Sequence, residues 1–448
     1  MITDNELDFV REALDMAVRA GAQHARATLS LSEEDLVATL DGEVDRVTHC
    51  ADRSLSLALF VDGRFGSYST NKLDAASLEG FIARAVAATR MVAPDPLRVL
   101  PDPARCCHDA LTGNELGLVD PARDTLTPAD RQRIALSASV FGATQRATAS
   151  AEYTIISEEG EYSDSIYDTV VMDTNGVCCR HSETSFDYGV EITIESEGEK
   201  YSGYWWDASS RLAELDAPAC GRQALARAVG QIGSEPAPSG RYTAVIDAEM
   251  ASKVVSPILR ALSGYAIQQN NSFLMDSLER QVFPEGLNIL DVPRIPGQAC
   301  SKYFDSEGVA TVEAPIVEGG VVKQYFINSY MAGKLRMAPT VEDATRPKVL
   351  PWPCAGLDRD AILRRCGSGI LVTDFNGGNS NPVTGDFSYG IEGYWFEDGR
   401  IVRPVSGMLM TGNFLTLWSR LLAAGDDARP CQTKLIPTLA FAEVDFSG

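Results

Sequence analysis

A run of polar turn residues near the carboxyl-terminal end of the chain is the densest group of side chains suited to binding another molecule. Its members are Asn379, Ser380, Asn381, Pro382, Thr384, Gly385 and Asp386. The asparagines offer hydrogen-bond donors and acceptors, Pro382 stiffens the corner, and Gly385 lets another backbone approach closely. Two interpretations stay open: a loop that meets a peptide or a partner subunit, or a sharp corner held by local side-chain-to-backbone bonds.

Other reactive or polar residues give weaker evidence of a functional site. Asp305, Glu307 and Glu313 form an acidic group, which we interpret as solvated strand faces because no imidazole or thiolate accompanies them. Cys431 would need a base and an electropositive setting to act as a nucleophile. The aromatic run Tyr204-Trp205-Trp206 is a strand end packed on the core or a platform for peptides, and we favour core packing.

The positions of the histidines limit the metal chemistry that the chain can support. The four histidines are His24, His49, His108 and His181. Nothing beyond residue 181 can therefore supply an imidazole ligand. A histidine-based zinc site in the second half of the chain is excluded.

Composition indicates a large, acidic globular protein. The 448 residues exceed one ordinary core and predict two domains. A formal charge of −23 argues against nucleic-acid binding, which needs clustered Lys and Arg. The charged, amphipathic start is unlike a secretion signal, and no apolar run approaches a membrane span. Ten scattered cysteines fit free thiols, so we expect a cytoplasmic protein without a membrane partner.

The first half of the chain alternates between helical and strand patterns. Leu7, Val10, Leu14 and Ala17 form one apolar stripe, and Gly21 ends that helix. Further predicted elements are a strand at Leu55–Leu59 turned by Asp62-Gly63, a helix at Leu73–Met91, a helix opened by Thr127-Pro128, a strand meander from Ala149 to Trp206 and a helix at Ser209–Val229.

The second half follows a linker over residues 233–240 and is rich in strands. A helix is predicted over Ala248–Ser263. Residues from Phe387 to Phe396 alternate with period two, Asp398-Gly399 is a hairpin signal, and Pro404 is expected to end the pairing. The fold class is therefore α+β. An N-terminal domain (1–232) mixes helices and antiparallel sheet, and a C-terminal domain (241–448) is a barrel-like or curved antiparallel sheet.

Three segments resemble the TldD/PmbA family, named modulators of DNA gyrase and regarded as peptidases. Residues 377–414 resemble its C-terminal signature, residues 63–71 its N-terminal hairpin, and residues 301–309 its central D-x-E-G strand. The three matches occur in the family's order and span nearly the whole chain. The resemblance implies a peptidase-type protein and gives no reason to expect DNA binding.

The resemblance also indicates a branch within the family. TldD-type members carry an H-E-x-x-x-H motif, in which two histidines bind zinc and the glutamate serves as general base. Val255, Ser256 and Arg260 stand where the first His, the Glu and the second His would lie. Cys431 matches a cysteine that is a zinc ligand in TldD-type members, and we interpret it as a structural relic. The chain thus resembles the PmbA/TldE branch, with no zinc, no other cofactor and no catalytic residue assigned.

Three functions remain in view. We favour a non-catalytic PmbA/TldE-like subunit of a cytoplasmic metallopeptidase system in proteolysis and peptide maturation. Its partner would be a TldD-like zinc-bearing subunit or a second copy, giving at least a dimer. Unfolded peptides would be held as an added β-strand, as the resemblance implies. The alternatives are a stand-alone hydrolase that uses Cys431 or a serine, and a peptide-binding module without catalysis.

Overall fold

The structure is a computed structural model that describes residues 1–141 and 152–448. It contains 24% helix and 40% strand, and it confirms the predicted α+β class. A curled antiparallel sheet occupies the N-terminal region and a closed five-stranded barrel the C-terminal region. The expected start of the strand meander at Ala149 lies outside the described residues.

The first sheet has six antiparallel strands. They are β1 (His24–Leu40), β2 (Glu43–Val61), β3 (Arg64–Thr70), β4 (Thr154–Asp173), β5 (Cys178–Ser196) and β6 (Glu199–Ser209). Their order β3-β2-β1-β4-β5-β6 places β3 and β6 at the edges. The turns Asp41-Gly42, Asp62-Gly63 and Glu197-Gly198 have positive φ at both residues. This conformation matches the twist of the flanking strands and fixes each hairpin.

Helices pack on this sheet through apolar faces. They are α1 (Asp4–Arg19), α2 (Ala75–Thr89), α3 (Pro128–Ser137) and α4 (Ala217–Gly230), and short 3₁₀ turns lie at Pro103–Arg105, Pro121–Thr125 and Leu212–Glu214. Val10, Leu14 and Ala17 are buried as the stripe predicts. The helix expected from Ser209 is wrong at its start, because Ser209 still pairs with Phe186 of β5. Asp216 instead caps α4.

The barrel region follows Gly240. Its elements are β7 (Gly240–Ile246), α5 (Ala248–Ala261), α6 (Gly264–Gln268), β8 (Ile289–Asp291), β9 (Ala314–Glu318), β10 (Val321–Val322), α7 (Ser329–Leu335), β11 (Pro347–Val349), α8 (Arg359–Cys366), β12 (Gly369–Ser380), β13 (Asp386–Glu397), β14 (Arg400–Asn413), α9 (Phe414–Ser419), β15 (Leu421–Ala424) and β16 (Leu439–Ser447). The order β14-β13-β12-β7-β16 closes because β14 also pairs with β16. Strands β8 to β11 form a separate small sheet.

The expectation that Pro404 ends the hairpin is wrong. Strand β14 continues through Pro404, which stands opposite Tyr394 of β13. The register shifts on both sides of this position, between Ile391 and Gly393 and between Trp395 and Phe396. Such bulges interrupt the regular hydrogen-bond ladder, so a residue without an N–H donor is tolerated there.

The proposed boundary at residues 233–240 lies between the last strand of the first sheet and the first strand of the barrel. Two buried clusters on the sheet side use residues up to 228, and the main barrel cluster begins at Ala237. A smaller cluster joins Phe304 of the second half to Val171 and Val177 of the first sheet region. The division into domains 1–232 and 241–448 stays a prediction. Over the described residues, no helix has the length and apolar character needed to cross a membrane.

Candidate functional site in the cleft between sheet and barrel

A cavity of about 520 Å³ lies where the sheet region faces the barrel region. On the sheet side its walls come from edge strand β6 and helix α4. On the barrel side they come from the start of α5, the start of α8, and strands β12 and β13. The cavity therefore depends on both halves of the chain, an arrangement typical of binding sites.

Arg429 connects the two walls of this cleft. Its Nη1 donates to the Glu249 carboxylate at the start of α5, and its Nη2 donates to the Trp206 carbonyl of β6 at 2.7 Å. The guanidinium carbon lies 4.5 Å from the ring centre of Trp205 and 5.2 Å from that of Trp206. Both distances are within the range of cation–π attraction. One side chain thus joins the edge of the sheet to the first helix of the barrel region.

Glu249 is the buried anion of this arrangement. Its side chain is 3% exposed. Burial raises the pKa of its carboxyl above the ordinary value, and the hydrogen bond and charge of Arg429 act in the opposite direction. A buried carboxylate without a counter-charge would be strongly unfavourable. Arg429 therefore supplies the counter-charge that opposes the effect of burial on Glu249.

Acidic groups outnumber basic groups among the described residues that line the cavity. The basic groups are Arg227, Arg359 and Arg429, and the acidic ones are Asp247, Glu249, Asp358, Asp360, Asp374, Glu392 and Asp427. Arg359 is already paired with Asp247 at 3.2 Å and with Asp360 at 3.4 Å. A concave surface lined by one sign of charge concentrates ligands of the opposite sign. The cleft is suited to a positively charged ligand.

Strand β6 presents its free edge to the cleft. β6 is the last strand of its sheet, and its Trp206 carbonyl accepts a hydrogen bond from Arg429, which lies outside that sheet. Backbone groups point to alternate sides of an antiparallel strand, so those of Ser202 and Tyr204 also face away from β5. Both residues line the cavity. Within the described part of the chain, no strand pairs with β6 on this side, so an extended chain in the cleft could bond to backbone groups along this edge.

The aromatic run combines core packing with a position in the cleft lining, and its role as a platform for peptides stays a prediction. Trp205 packs against the buried cluster between β5 and α4. Trp205 also lines the cavity. The guanidinium carbons of Arg227 and Arg429 lie 4.4 and 4.5 Å from the centre of its ring.

The Arg429–Glu249 pair was not predicted from the sequence, although Arg429 stands only two positions before Cys431. The two residues are 180 positions apart, and no local sequence pattern indicates that they meet.

The positions that the resemblance assigns to zinc ligands carry side chains poorly suited to zinc. Val255 is fully buried in the aliphatic core, Ser256 is half-buried and Arg260 is exposed on α5. A methyl-bearing side chain and a guanidinium offer no lone pair suited to zinc. Val255 and Arg260 therefore do not fit zinc, the ion that a metallopeptidase resemblance implies. No catalytic step through zinc can be derived from these positions.

Cys431 lies in a smaller cavity of about 250 Å³ next to the cleft, with Asp207, Ser209 and Arg429 among its neighbours. Burial raises the pKa of its thiol to about 11, although Arg429 acts to lower it. Burial thus opposes formation of the thiolate that a cysteine nucleophile requires. The histidine nearest in sequence to the second half of the chain, His181, lies on β5, and its Nε2 atom is 3.4 Å from Glu183 Oε2.

The predicted loop forms the tip of the hairpin between β12 and β13, and Asn379 and Ser380 belong to β12 itself. Asn381 Oδ1 accepts the N–H groups of Val383 and Thr384 at 2.9 and 3.3 Å. Thr384 and Asp386 bond to each other and to Asn413. Among the described residues that line the cleft cavity, none comes from this loop. These contacts support the corner-holding interpretation for Asn381, Thr384 and Asp386, and the role in binding a peptide or partner stays a prediction.

The D-x-E-G segment is not a solvated strand face, so that interpretation of Asp305 and Glu307 is wrong. Asp305 Oδ1 accepts the N–H groups of Glu307 and Val309 at 2.9 and 3.0 Å. Burial raises the pKa of Asp305 to about 6. Glu307 accepts the N–H and hydroxyl of Ser329, both at 2.8 Å. The two carboxylates hold a turn against neighbouring segments. Glu313 is exposed.

One group of possible metal ligands was missed by the sequence reasoning. Carboxylate and imidazole atoms of Glu33, Asp35 and His49 lie within 4.8 Å of one another on β1 and β2. Asp35, however, already pairs with Arg131 at 2.9 Å and with Arg123 at 3.4 Å. The positive charges of these two guanidinium groups disfavour binding of a divalent cation at Asp35. We interpret the group as an ion-pair network.

Comparison with protein families covers most of the chain. Residues 239–448 match the PmbA/TldA metallopeptidase C-terminal domain, residues 125–232 the central domain, and residues 29–89 domain 1. The chain belongs to the PmbA/TldD family. Its sequence is 26% identical to Metalloprotease PmbA of Escherichia coli O157:H7 over 97% of this chain and 95% of that protein. It is 27% identical to a PmbA homolog of Haemophilus influenzae over 93% and 90% of the two chains.

Solved structures of PmbA/TldD-like proteins share this fold over their whole length. A Bacteroides thetaiotaomicron protein named as a modulator of DNA gyrase has a TM-score of 0.93 and 36% identity, with 100% of both chains covered. TldE from Thermococcus kodakarensis has a TM-score of 0.82 and 17% identity, covering 98% of this chain and 100% of that one. At that identity the second likeness supports the fold alone. As a member of this family the chain is metalloprotease-like.

Proposed function

We propose that this PmbA/TldD family member is a TldE-like subunit that binds unfolded peptide and supports a zinc-bearing TldD-like partner without carrying zinc itself. The peptide would lie in the cleft between β6 and the barrel. All ten cysteines are free, which supports the expectation of a reducing, cytoplasmic setting.

The observation that carries this proposal is the chemistry of the metal-site positions. Val255 and Arg260 provide no zinc donor, and the Cys431 thiol has a pKa raised to about 11 by burial. No histidine follows His181 in the sequence. A zinc-dependent peptidase reaction would therefore have to use ligands from another chain.

The geometry of the cleft supports a peptide as the ligand. Ser202 and Tyr204 present backbone groups along the free edge of β6, where an extended chain can add as a further strand. This mode recognises backbone and depends little on sequence. The excess of carboxylates around the cavity would favour peptides that carry Lys, Arg or a free amino terminus.

Peptide binding can be tested on the isolated protein. Two unstructured fluorescent peptides of equal length, one rich in lysine and one rich in glutamate, would be titrated by anisotropy. We expect the lysine-rich peptide to bind more tightly and Trp205→Ala to weaken its binding. Tyr265→Ala serves as the matched control, because Tyr265 is 64% exposed and outside the cleft lining. Equal binding of both peptides, unaffected by Trp205→Ala, would place the peptide elsewhere.

The subunit role requires a cleavage assay. We expect no hydrolysis of unstructured peptide by this chain alone, with or without added zinc. A zinc-bearing TldD-type protein mixed with it should cleave faster than that protein alone, and a chelator should abolish the reaction. Turnover by the isolated chain would instead favour a stand-alone hydrolase, and loss of that turnover in Cys431→Ala would identify the nucleophile. Peptide binding with no effect on any TldD-type partner would indicate a binding module.

A further inference from the structure

The cleft cavity contains a pair of carboxylates that no cation neutralises within the described part of the chain. Most of the acidic groups in its lining are held by an arginine, by a helix amino terminus or by hydrogen bonds; these are Asp247, Glu249, Asp358, Asp360 and Asp427. Asp374 and Glu392 line the same cavity and take part in no such ion pair. Each accepts one hydrogen bond at 2.6 Å, from the Phe375 N–H and from the Asn376 side-chain amide. Among the described residues, the second oxygen of each carboxylate has no donor.

These two carboxylates stand directly opposite each other in the hairpin. Asp374 of β12 is the register partner of Glu392 of β13. Side chains at directly opposite positions have Cβ atoms about 4.5–5.5 Å apart, and like charges at such positions are unfavourable. A cation bound between the two carboxylates would remove this repulsion. The acidic pair alone does not identify the cation, and the neighbouring groups supply the further information.

A buried amide beside this pair lacks one of its hydrogen bonds. Gln231 is the C-cap of α4, is 8% exposed and lines the cavity. Its Nε2 donates to the Gly393 carbonyl at 3.3 Å, which places the amide next to Glu392 in β13. Its Oε1 is buried and has no hydrogen-bond partner among the described residues. A buried acceptor without a donor is unfavourable, so this oxygen marks a place for a donor that the chain itself does not supply.

A primary ammonium group matches these acceptors in number and charge. It carries three N–H donors and no acceptor. The second oxygens of Asp374 and Glu392 and the amide oxygen of Gln231 provide one acceptor for each donor. Gln231 also stands at the carboxyl end of α4, the negative end of the helix dipole, which attracts cations. A calcium or magnesium ion would need about six oxygen ligands, more than these three side chains offer.

We propose that Asp374, Glu392 and Gln231 form a subsite for a primary ammonium group of the peptide in the cleft, carried by a lysine side chain or by the amino terminus. The subsite deepens the proposed function and rests on it, because a peptide held along β6 brings the ammonium group across the cleft to the barrel wall. Binding there requires N–H donors as well as positive charge. The subsite therefore distinguishes lysine from a group of equal charge that has no such donors.

Peptides that differ at a single group test the subsite on the full chain. Three fluorescent, N-acetylated peptides of equal length would carry lysine, trimethyl-lysine or norleucine at one central position and be titrated by anisotropy. Trimethyl-lysine keeps the positive charge but has no N–H donor. A fourth peptide has norleucine at that position and a free amino terminus. We expect the acetylated lysine peptide, the free-terminus peptide or both to bind at least about tenfold more tightly than the trimethyl-lysine and acetylated norleucine peptides. Which of the two binds tightly identifies the source of the ammonium group.

Neutral variants test the assigned side chains. Glu392→Gln and Asp374→Asn remove the charges with little change in shape, and each should reduce the preference for the ammonium-bearing peptide to about twofold or less. Neither should lower the thermal stability of the free protein, because each removes a like-charge contact. Gln231→Met, which removes the amide oxygen, should also reduce the preference. Glu397→Gln is the matched control, since it removes one charge from an exposed position of the same strand outside the cavity lining and should leave the preference unchanged.

Two results would overturn the subsite and leave the proposed function standing. They are equal binding of the ammonium-bearing and trimethyl-lysine peptides, and a preference that survives unchanged in both Glu392→Gln and Asp374→Asn. In either case the peptides still bind, and Trp205→Ala still weakens them. Failure of every peptide to bind would refute the peptide cleft and the subsite together.

Discussion

Replacing Arg429 by methionine should destabilise the protein by leaving a charge buried at the cleft. The substitution keeps much of the apolar stem but removes the partner of Glu249, whose side chain is 3% exposed. It also removes the bond to the Trp206 carbonyl and the contacts with two indole rings. Breaking one half of a buried ion pair costs about 3–5 kcal/mol in well-studied cases. We expect a loss of about 3 kcal/mol in the free energy of unfolding.

The size of this loss should depend on pH. Burial raises the pKa of Glu249 in the folded protein, and removing Arg429 takes away the group that opposes this shift. A carboxyl with a raised folded-state pKa holds its proton more tightly when folded than when unfolded. Stability therefore falls as pH rises above the unfolded-state pKa, until the folded-state pKa is passed. Arg429→Met should be closer to wild type at pH 5 than at pH 8.

Urea unfolding at both pH values, followed by tryptophan fluorescence and far-ultraviolet circular dichroism, measures these effects. Glu249→Gln combined with Arg429→Met removes both charges and should recover at least about 1 kcal/mol of the loss. The double variant should also lose the extra pH dependence. Arg241→Met, which breaks the exposed pair with Asp445, is the matched control and should change stability much less. If the single and double variants unfold alike at both pH values, Arg429 does not act by neutralising Glu249.

Further outcomes can be checked on the same protein. Gly203→Ala should destabilise it by about 1–3 kcal/mol, because the new methyl would lie 2.2 Å from the Ala224 carbonyl oxygen of α4; thermal unfolding beside Ser202→Ala tests this. Dialysed protein should contain no stoichiometric zinc by mass spectrometry, and zinc that disappears in Cys431→Ala would contradict the assignment of that residue. Asn379→Ala/Asn381→Ala should cost about 1 kcal/mol and, if the loop meets peptide or partner, lower processing per folded molecule; unchanged processing would leave the loop only a turn.

Features that depend on a few neighbouring residues were predictable from the sequence. The hairpin turns at Asp62-Gly63 and Asp398-Gly399 and the helix opened by Thr127 all occur as expected. Each is determined by the φ preference of a glycine or by the bond from a capping hydroxyl, which act locally. The α+β class followed from such local patterns taken together.

Features that depend on distant residues were not predictable in the same way. Glu249 and Arg429 meet only because α5 and the segment before β16 both reach the edge of β6. The bulges that accommodate Pro404 arise from register shifts between two strands. The polar loop at Asn381 drew attention by composition, yet its bonds are local, whereas the cleft is lined by residues from both halves of the chain.

The closure of the barrel has a consequence for the order in which the protein can fold on the ribosome. Each strand of the first sheet from β1 to β3, and again from β4 to β6, pairs with its neighbour in the chain. Strand β7 instead pairs with β12 and β16, with Ile246 opposite Leu439. During synthesis the first sheet can assemble early. Strand β7 and the apolar face of α5 cannot be fully covered until the last strand has been synthesised. Nascent chains stalled before Leu439 would expose that face and be the stage most dependent on chaperones.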